Sequence, residues 1–185
     1  ELRNLGHAAM DNRYGISFKS LGRSGALSIL TRSSVWYTFN TAVGVHGAEG
    51  VAVLDNVVYH SLGTMFRLYS KGTVVRNNLA VQMITTLSYR GFASRANTAK
   101  VDWKDWAAAF HVTADIILEG NRVAGSERLG FKMMGVPCVE NPLSPLPRQK
   151  DNVAHACMLG WAAREGCAGG ATCLAIRDFV AWKNW

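Results

Sequence analysis

The residues of this chain that could do chemistry are its five histidines, its four cysteines and its thirteen acids. His7, His46, His60, His111 and His155 form no H-x-H or H-E-x-x-H pattern, the spacings that set two imidazoles on one face for a metal. Each reads as a turn or surface histidine. The one combination that could act jointly is His46 with His60, which the local pattern sets on adjacent strands. Cys138, Cys157, Cys167 and Cys173 make no C-x-x-C pair, which excludes a zinc ribbon. No G-x-S-x-G, Walker A or dinucleotide-binding glycine phrase occurs, and Gly169-Gly170 reads as a turn. These residues call for no cofactor and no metal.

The elements that must position them belong to one globular domain. The chain has 185 residues, 49% hydrophobic and 18% charged, enough for one core and too short for two comfortable ones. No apolar run reaches the roughly 18 residues of a membrane span. The sequence opens at Glu1 without a methionine, so it reads as an internal or processed piece. Twenty Lys+Arg against 13 Asp+Glu give +7, an excess that suits acidic polysaccharide, anionic lipid or nucleic acid. The basic residues are scattered singly, with no run of four, which argues against nucleic acid.

Eighteen glycines against four prolines point to many turns. Helical periodicity is scarce; the best candidate is a short one around Trp103 to Phe110. Short β-rich pieces dominate, such as Ala42 to Val45, Val51 to Leu54, Val57 to Tyr59 and Ile116 to Leu118. One phrase recurs, a polar turn residue followed two positions later by a small or β-branched apolar one. Its instances are Ser33 with Val35, Asn56 with Val58, Asn78 with Ala80, Asn121 with Val123, Asn152 with Ala154 and Asp178 with Val180. The anchors are 23, 22, 43, 31 and 26 residues apart, a unit of about 22 residues with insertions, which is a solenoid signature.

Three short strands and their turns fill such a unit, so the expected fold is all-β, a right-handed parallel β-helix of about five or six coils. Equivalent positions of successive coils then stack about 4.8 Å apart. Val35, Val58, Ala80, Val123, Ala154 and Val180 should form one inward column. Asn56, Asn78, Asn121 and Asn152 should occupy tight turns, where asparagine tolerates left-handed angles and its amide can bond stacked neighbours. Two stretches should leave the regular coil and offer contact surfaces, Gln82 to Trp106 and Gly135 to Gln149. The second holds Pro137, Pro142, Pro145 and Pro147.

The segments Arg13-Tyr14-Gly15-Ile16-Ser17-Phe18, Thr38 to Gly47 and Asp55 to Gly63 resemble the parallel β-helix of the fibrocystin and fibrocystin-L family. Gly120 to Glu127, Asp151 to His155 and Phe179 to Asn184 continue the resemblance in the same order. Related β-helices occur in cell-surface hyaluronidases. The resemblance implies one segment of a large extracellular protein, usually membrane-anchored and in fibrocystins often ciliary. Its partners would be adjacent coils of the same chain, other copies of it, or an acidic polysaccharide.

The hyaluronidase-like relatives typically carry a histidine pair in R-Y-P-x-H-F-H and a further histidine with paired acids after an S-L-G phrase. This chain has Ser17 and Lys19 at the first two positions, Thr64 after Gly63, and Tyr69, Ser70 and Lys71 at the acidic ones. Cleavage of a glycosidic bond needs a carboxylate pair or its equivalent, so no catalytic residue carries over and a non-enzymatic role is expected. The extracellular setting implied by the resemblance favours two disulfides, Cys167 with Cys173 and Cys138 with Cys157, although four free thiols are the alternative. An isolated segment of such a solenoid should behave poorly, with Phe179, Trp182 and Trp185 exposed at its cut end.

Overall fold

The computed structural model describes residues 1–7, 13–85, 106–113, 116–134, 136–137, 149–164, 173–174 and 176–185. Its strands wind as coils of three. The first coil is β1 (Leu2–Arg3), β2 (Ile16–Gly22) and β3 (Ile29–Thr31), with a 3-10 turn at Arg23–Leu27. The second is β4 (Ser34–Thr38), β5 (Val43–Ala48) and β6 (Ala52–Leu54), and the third β7 (Val57–Leu62), β8 (Phe66–Leu68) and β9 (Val74–Arg76). The fourth is β10 (Leu79–Ile84), β11 (Ala108–Thr113) and β12 (Ile117–Glu119). In the next two coils the first two strands fuse into one bent strand, β13 (Arg122–Met134) and then β16 (Val153–Arg164). Between and after them come β14 (Val136–Pro137), β15 (Gln149–Lys150), β17 (Cys173–Leu174), β18 (Ile176–Arg177) and β19 (Val180–Trp182), the last opening a seventh coil.

Each strand pairs in parallel with its counterpart one coil away, which makes the molecule a parallel β-helix. Three faces result. The first stacks β1, β4, β7, β10, the starts of β13 and β16, and β19; the second stacks β2, β5, β8, β11 and the ends of β13 and β16. The third is the six-stranded β3-β6-β9-β12-β15-β18 sheet, and β14 and β17 form a small sheet of their own. Ala108, Ala109 and Phe110 are buried strand residues of β11, not part of a helix.

Alternation along each strand sends every second side chain inward, and parallel register turns these into columns. On the first face Val35, Val58, Ala80, Val123 and Ala154 are consecutive partners, all fully buried. Val180 is not the next member. It pairs with Val153 and is 51% exposed, while Ala181 follows Ala154. The shift by one has a backbone cause. Asp178, at φ 52°, matches the left-handed Asp151, at φ 56°, so Phe179 stands where the ladder asparagine would be.

The ladder itself runs through the turn between the third and first faces. Asn78 Oδ1 accepts from both the main-chain N–H and the Nδ2 of Asn56, each at 3.0 Å. Asn121 does the same for Asn78, and Asn152 for Asn121, at 3.0–3.1 Å. Each Nδ2 also donates to a carbonyl of the preceding turn of helix, Leu30, Val53, Val75 and Leu118 in order, at 2.9–3.0 Å. Ser33 receives the lower end, its N–H donating to Asn56 Oδ1 at 3.0 Å. Under the second face a different stack forms: Phe66 on Phe110 (4.5 Å between centroids, 4°), Phe110 on Phe131 (5.0 Å, 10°), and Phe179 edge-on to Phe131 (5.6 Å, 85°).

The two excursions are narrower than the polarity of the sequence suggests. Gln82 to Ile84 continue β10; Gln82 points out at the exposed corner while Met83 is 1% exposed in the interior. Val136–Pro137 pairs in parallel with Cys173–Leu174, and Gln149 is a buried member of β15. Residues 86–105 and 138–148 lie outside the described ones.

A second left-handed column crosses the first face: Asn4, Tyr37, His60, Gln82, Gly125, Ala156 and Lys183, with φ between 49° and 77°. This conformation bends each strand at the same level. It is easy for glycine and asparagine and costs other L-residues about 1–2 kcal/mol each.

Candidate functional site

The second face carries Ser17, Lys19, His46, Tyr69 and His111 of the residues singled out for chemistry. Inward alternation there fixes Ile16 and Phe18, Val43 and Val45, Phe66 and Leu68, Phe110 and Val112, Phe131 and Met133 as core. The intervening residues must point out. They form two neighbouring columns, Ser17-Gly44-Arg67-His111-Lys132 and Lys19-His46-Tyr69-Thr113-Met134. Ser17, Lys19 and Tyr69, three of the positions that depart from the hyaluronidase pattern, therefore share one outward strip.

The strip is cationic and internally bonded. The Tyr69 hydroxyl and His111 Nδ1 lie 2.8 Å apart, with the rings edge to face at 5.0 Å. The Arg67 guanidinium sits 5.2 Å over the Tyr69 ring. Lys132 is 3% exposed, and its Nζ donates to the Trp106 carbonyl at 3.3 Å while the Arg128 guanidinium covers the Trp106 ring at 5.0 Å. Lys19 and His46 are exposed at the near end. Gly44 is needed here because the Tyr14 ring lies against it and a Cβ would overlap that ring.

A phenol bonded to an imidazole can pass a proton, but glycoside cleavage also needs paired carboxylates, and the outward residues of the two columns include none. What the arrangement offers is donors and positive charge along a stiff surface, which suits an anionic chain. Ser70 serves the fold instead: its Oγ accepts the Ala48 N–H at 3.1 Å in a buried turn, and Lys71 is exposed beside it. Among the described residues no group of three His, Cys, Asp or Glu is placed to hold a metal.

His46 and His60 are not brought together. The former is on β5 of the second face and the latter on β7 of the first, where it contacts Tyr37 and Tyr59. Strands adjacent in sequence occupy different faces of the prism, so chain proximity misleads. The useful pair, Tyr69 with His111, is 42 residues apart across an excursion and had no local signal.

Cys157 is fully buried and free, in the inward column Ser61-Met83-Ser126-Cys157, with its thiol donating to the His155 carbonyl at 3.3 Å. The expected bridge from Cys138 to Cys157 is therefore not made: inward alternation of β16 turns this thiol away from the surface. Burial pushes its pKa up to about 11, which keeps it protonated and unreactive at neutral pH. Cys138, Cys167 and the side chain of Cys173 lie outside the described residues. On the third face Glu119 bridges Arg76 (3.0 Å) and Lys150 (2.8 Å) of the coils on either side. The hydrogen bond from Lys150 is the chief cause of its lowered carboxyl pKa.

The coil geometry, the asparagine ladder and the outward strip together define a β-helix of a recognisable class. The chain belongs to the CEMIP beta-helix family, whose match covers residues 1–158. Within that class it is similar to Fibrocystin-L of Mus musculus, 28% identical over 180 residues, and of Homo sapiens, 27% identical over 180; each match covers 95% of this chain. Fibrocystin of Canis lupus familiaris is 31% identical over 166 residues, 88% of this chain. The chain spans about 4% of the length of these relatives. No solved structure matches it.

Proposed function

We propose that this β-helix is a non-catalytic structural and adhesive element of a large fibrocystin-like protein at the cell surface, the ciliary membrane included. Its interior makes a stiff rod, and its partners are neighbouring coils, other copies of the chain, or extracellular polymer laid along its faces. The observation that carries the reading is the outward strip of the second face. Ser17, Lys19 and Tyr69 fill it where hyaluronidase-like relatives place histidines and acids. Incubating the purified protein with hyaluronan or alginate, with and without divalent metal, tests it. Unchanged polymer size is expected, and release of oligosaccharide products would overturn it.

The cations of the same strip favour a second reading, in which the face binds an acidic polysaccharide without cleaving it. Binding should then weaken steeply with salt and fall on Arg67→Ala. Salt-independent binding would rule it out.

A further inference from the structure

The first face carries a different surface. Trp36-Tyr37 on β4 and Tyr59-His60 on β7 project outward on adjacent coils and touch as one cluster. Trp36 and Tyr59 are 5.0 Å apart, Tyr37 and Tyr59 5.8 Å, and Tyr37 and His60 5.2 Å between centroids. The Arg3 guanidinium lies 5.4 Å over the Trp36 ring. The patch breaks local rules. Tyr37 and His60 hold φ of 56° and 55°, where the coils at 4 and 125 use asparagine and glycine. The Trp36 indole N–H is buried without an acceptor. Gln82, Ala156 and Lys183 of the same column are left-handed too, but at Tyr37 and His60 the strain coincides with an orphan donor and an outward cluster of four rings, and that combination marks the place as a binding surface.

Three coils further along the same face a second ridge stands. His155 stacks on Trp182 at 4.4 Å and 16°, with Lys183 Nζ 5.4 Å from the Trp182 ring. The coils between present Val81-Gln82 and Ala124-Gly125, small or flexible side chains on a flat sheet. With a coil spacing of about 4.8 Å, Tyr59 and His155 are about 14 Å apart along the axis. The two ridges frame a shallow floor.

We propose that this first face binds an uncharged linear oligosaccharide running along the solenoid axis, its sugar rings stacked on the aromatic ridges. Tyr37, 40% exposed and edge-on to Tyr59, is the ring of the cluster most open to a ligand; an aromatic face beside a phenol hydroxyl matches the C–H face and hydroxyl edge of a pyranose. A pyranose unit is about as long as one coil spacing, so successive sugars meet successive rungs. Arg3 and Lys183 already cover part of Trp36 and Trp182, which engages the charge of the patch and leaves the uncovered ring surface for stacking. The proposal deepens the adhesive reading but fails independently of it, since it concerns the opposite chemistry on another face.

Cellohexaose and chitohexaose are the neutral probes and a hyaluronan hexasaccharide the anionic one, titrated into the intact protein by calorimetry. At least one neutral probe should bind, with an affinity unchanged on raising salt to about 1 M. Trp36→Ala and Tyr59→Ala should each weaken binding tenfold or more, and Arg177→Ala on the third face, exposed and outside both surfaces, should leave it unchanged. Tyr37→Asn separates binding from folding: asparagine relieves the left-handed strain, so the melting temperature should rise while affinity falls. No binding of either neutral probe, or salt-sensitive binding of the anionic one alone, would overturn the proposal. So would first-face variants that alter self-association by light scattering and leave sugar binding intact, which would give the patch to protein contact.

Discussion

Two stacks of like side chains run through the middle coils of this solenoid and hold it by different means. The asparagine ladder at one corner is directional: every amide is committed, Oδ1 to the coil below and Nδ2 to a carbonyl two positions off the turn. The phenyl stack under the second face is a matter of volume and contact area, with near-parallel rings at 4.5 and 5.0 Å. The ladder can accept one residue type; the stack needs only an apolar group of the right size. The difference explains why the ladder ends abruptly where Phe179 replaces the amide, while that same phenyl is taken up by the stack against Phe131.

The largest expected effect comes from placing a charge between the two. Val58 is fully buried two residues beyond Asn56, between Val35 and Ala80. Val58→Asp buries an unpaired carboxylate and should abolish cooperative folding, read by far-UV circular dichroism and thermal melting. A wild-type melting temperature would contradict the register.

Substitutions inside each stack sharpen the contrast. Phe110→Ala should cost about 3–5 kcal/mol in denaturant unfolding, and Phe110→Leu should recover most of it, since volume is what the site demands. Asn78→Ala strands the Asn56 donors and the Val53 carbonyl, at about 1–3 kcal/mol per buried group left unpaired. Asn78→Leu should be no better than alanine. Recovery by leucine at position 78 would show that the ladder, too, is held by packing alone.

These stacks differ in how they show in the sequence. Asparagine at a tight turn has few substitutes, so a phrase recurring at coil spacing exposes the period directly. Phe66, Phe110 and Phe131 share that period, but a phenyl may be swapped for valine or isoleucine in the same column, as Val43 and Ile16 do, so the stack dissolves into general hydrophobicity. Asp178 misleads for a physical reason: aspartate suits the left-handed position just before the ladder, so in the recurring phrase it imitates a ladder residue one place too early. The strained column of Tyr37 and His60 had no signal, because nothing in a tyrosine or histidine announces a positive φ. The outward strip of the second face was legible only as scattered departures from a motif; period-2 alternation and parallel register are what gather them.

A pH scan separates a titratable member of the interior from both stacks. Burial pushes the pKa of the Cys157 thiol up to about 11 in the folded protein, from an ordinary thiol value of 9.0. A raised pKa means that the protonated form is favoured by folding. Its contribution is fully present below pH 9 and is lost as pH climbs from there towards 11, because the unfolded chain gives up the proton first. Unfolding free energy measured across this window should fall more steeply in the wild type than in Cys157→Ala. Equal slopes would mean that the thiol is not desolvated in solution.

The smallest effect belongs to the surface of the third face, where charge alternates along a column as Arg76, Glu119 and Lys150. It resembles a third ladder, but water reaches all three groups, and exposed ion pairs trade Coulomb attraction against the entropy of two long side chains. Glu119→Gln should therefore change stability by less than about 1 kcal/mol, in contrast to Asn78→Ala in the amide ladder. The depressed carboxyl pKa predicts the direction of what remains. It contributes above the ordinary carboxylate pKa and is lost as pH falls through the lowered value, so any difference between Glu119→Gln and wild type should vanish in acid and shrink in high salt. A difference that persists under both conditions would place the Glu119 effect in packing against the neighbouring coils, and the charged column would then rank with the two interior stacks.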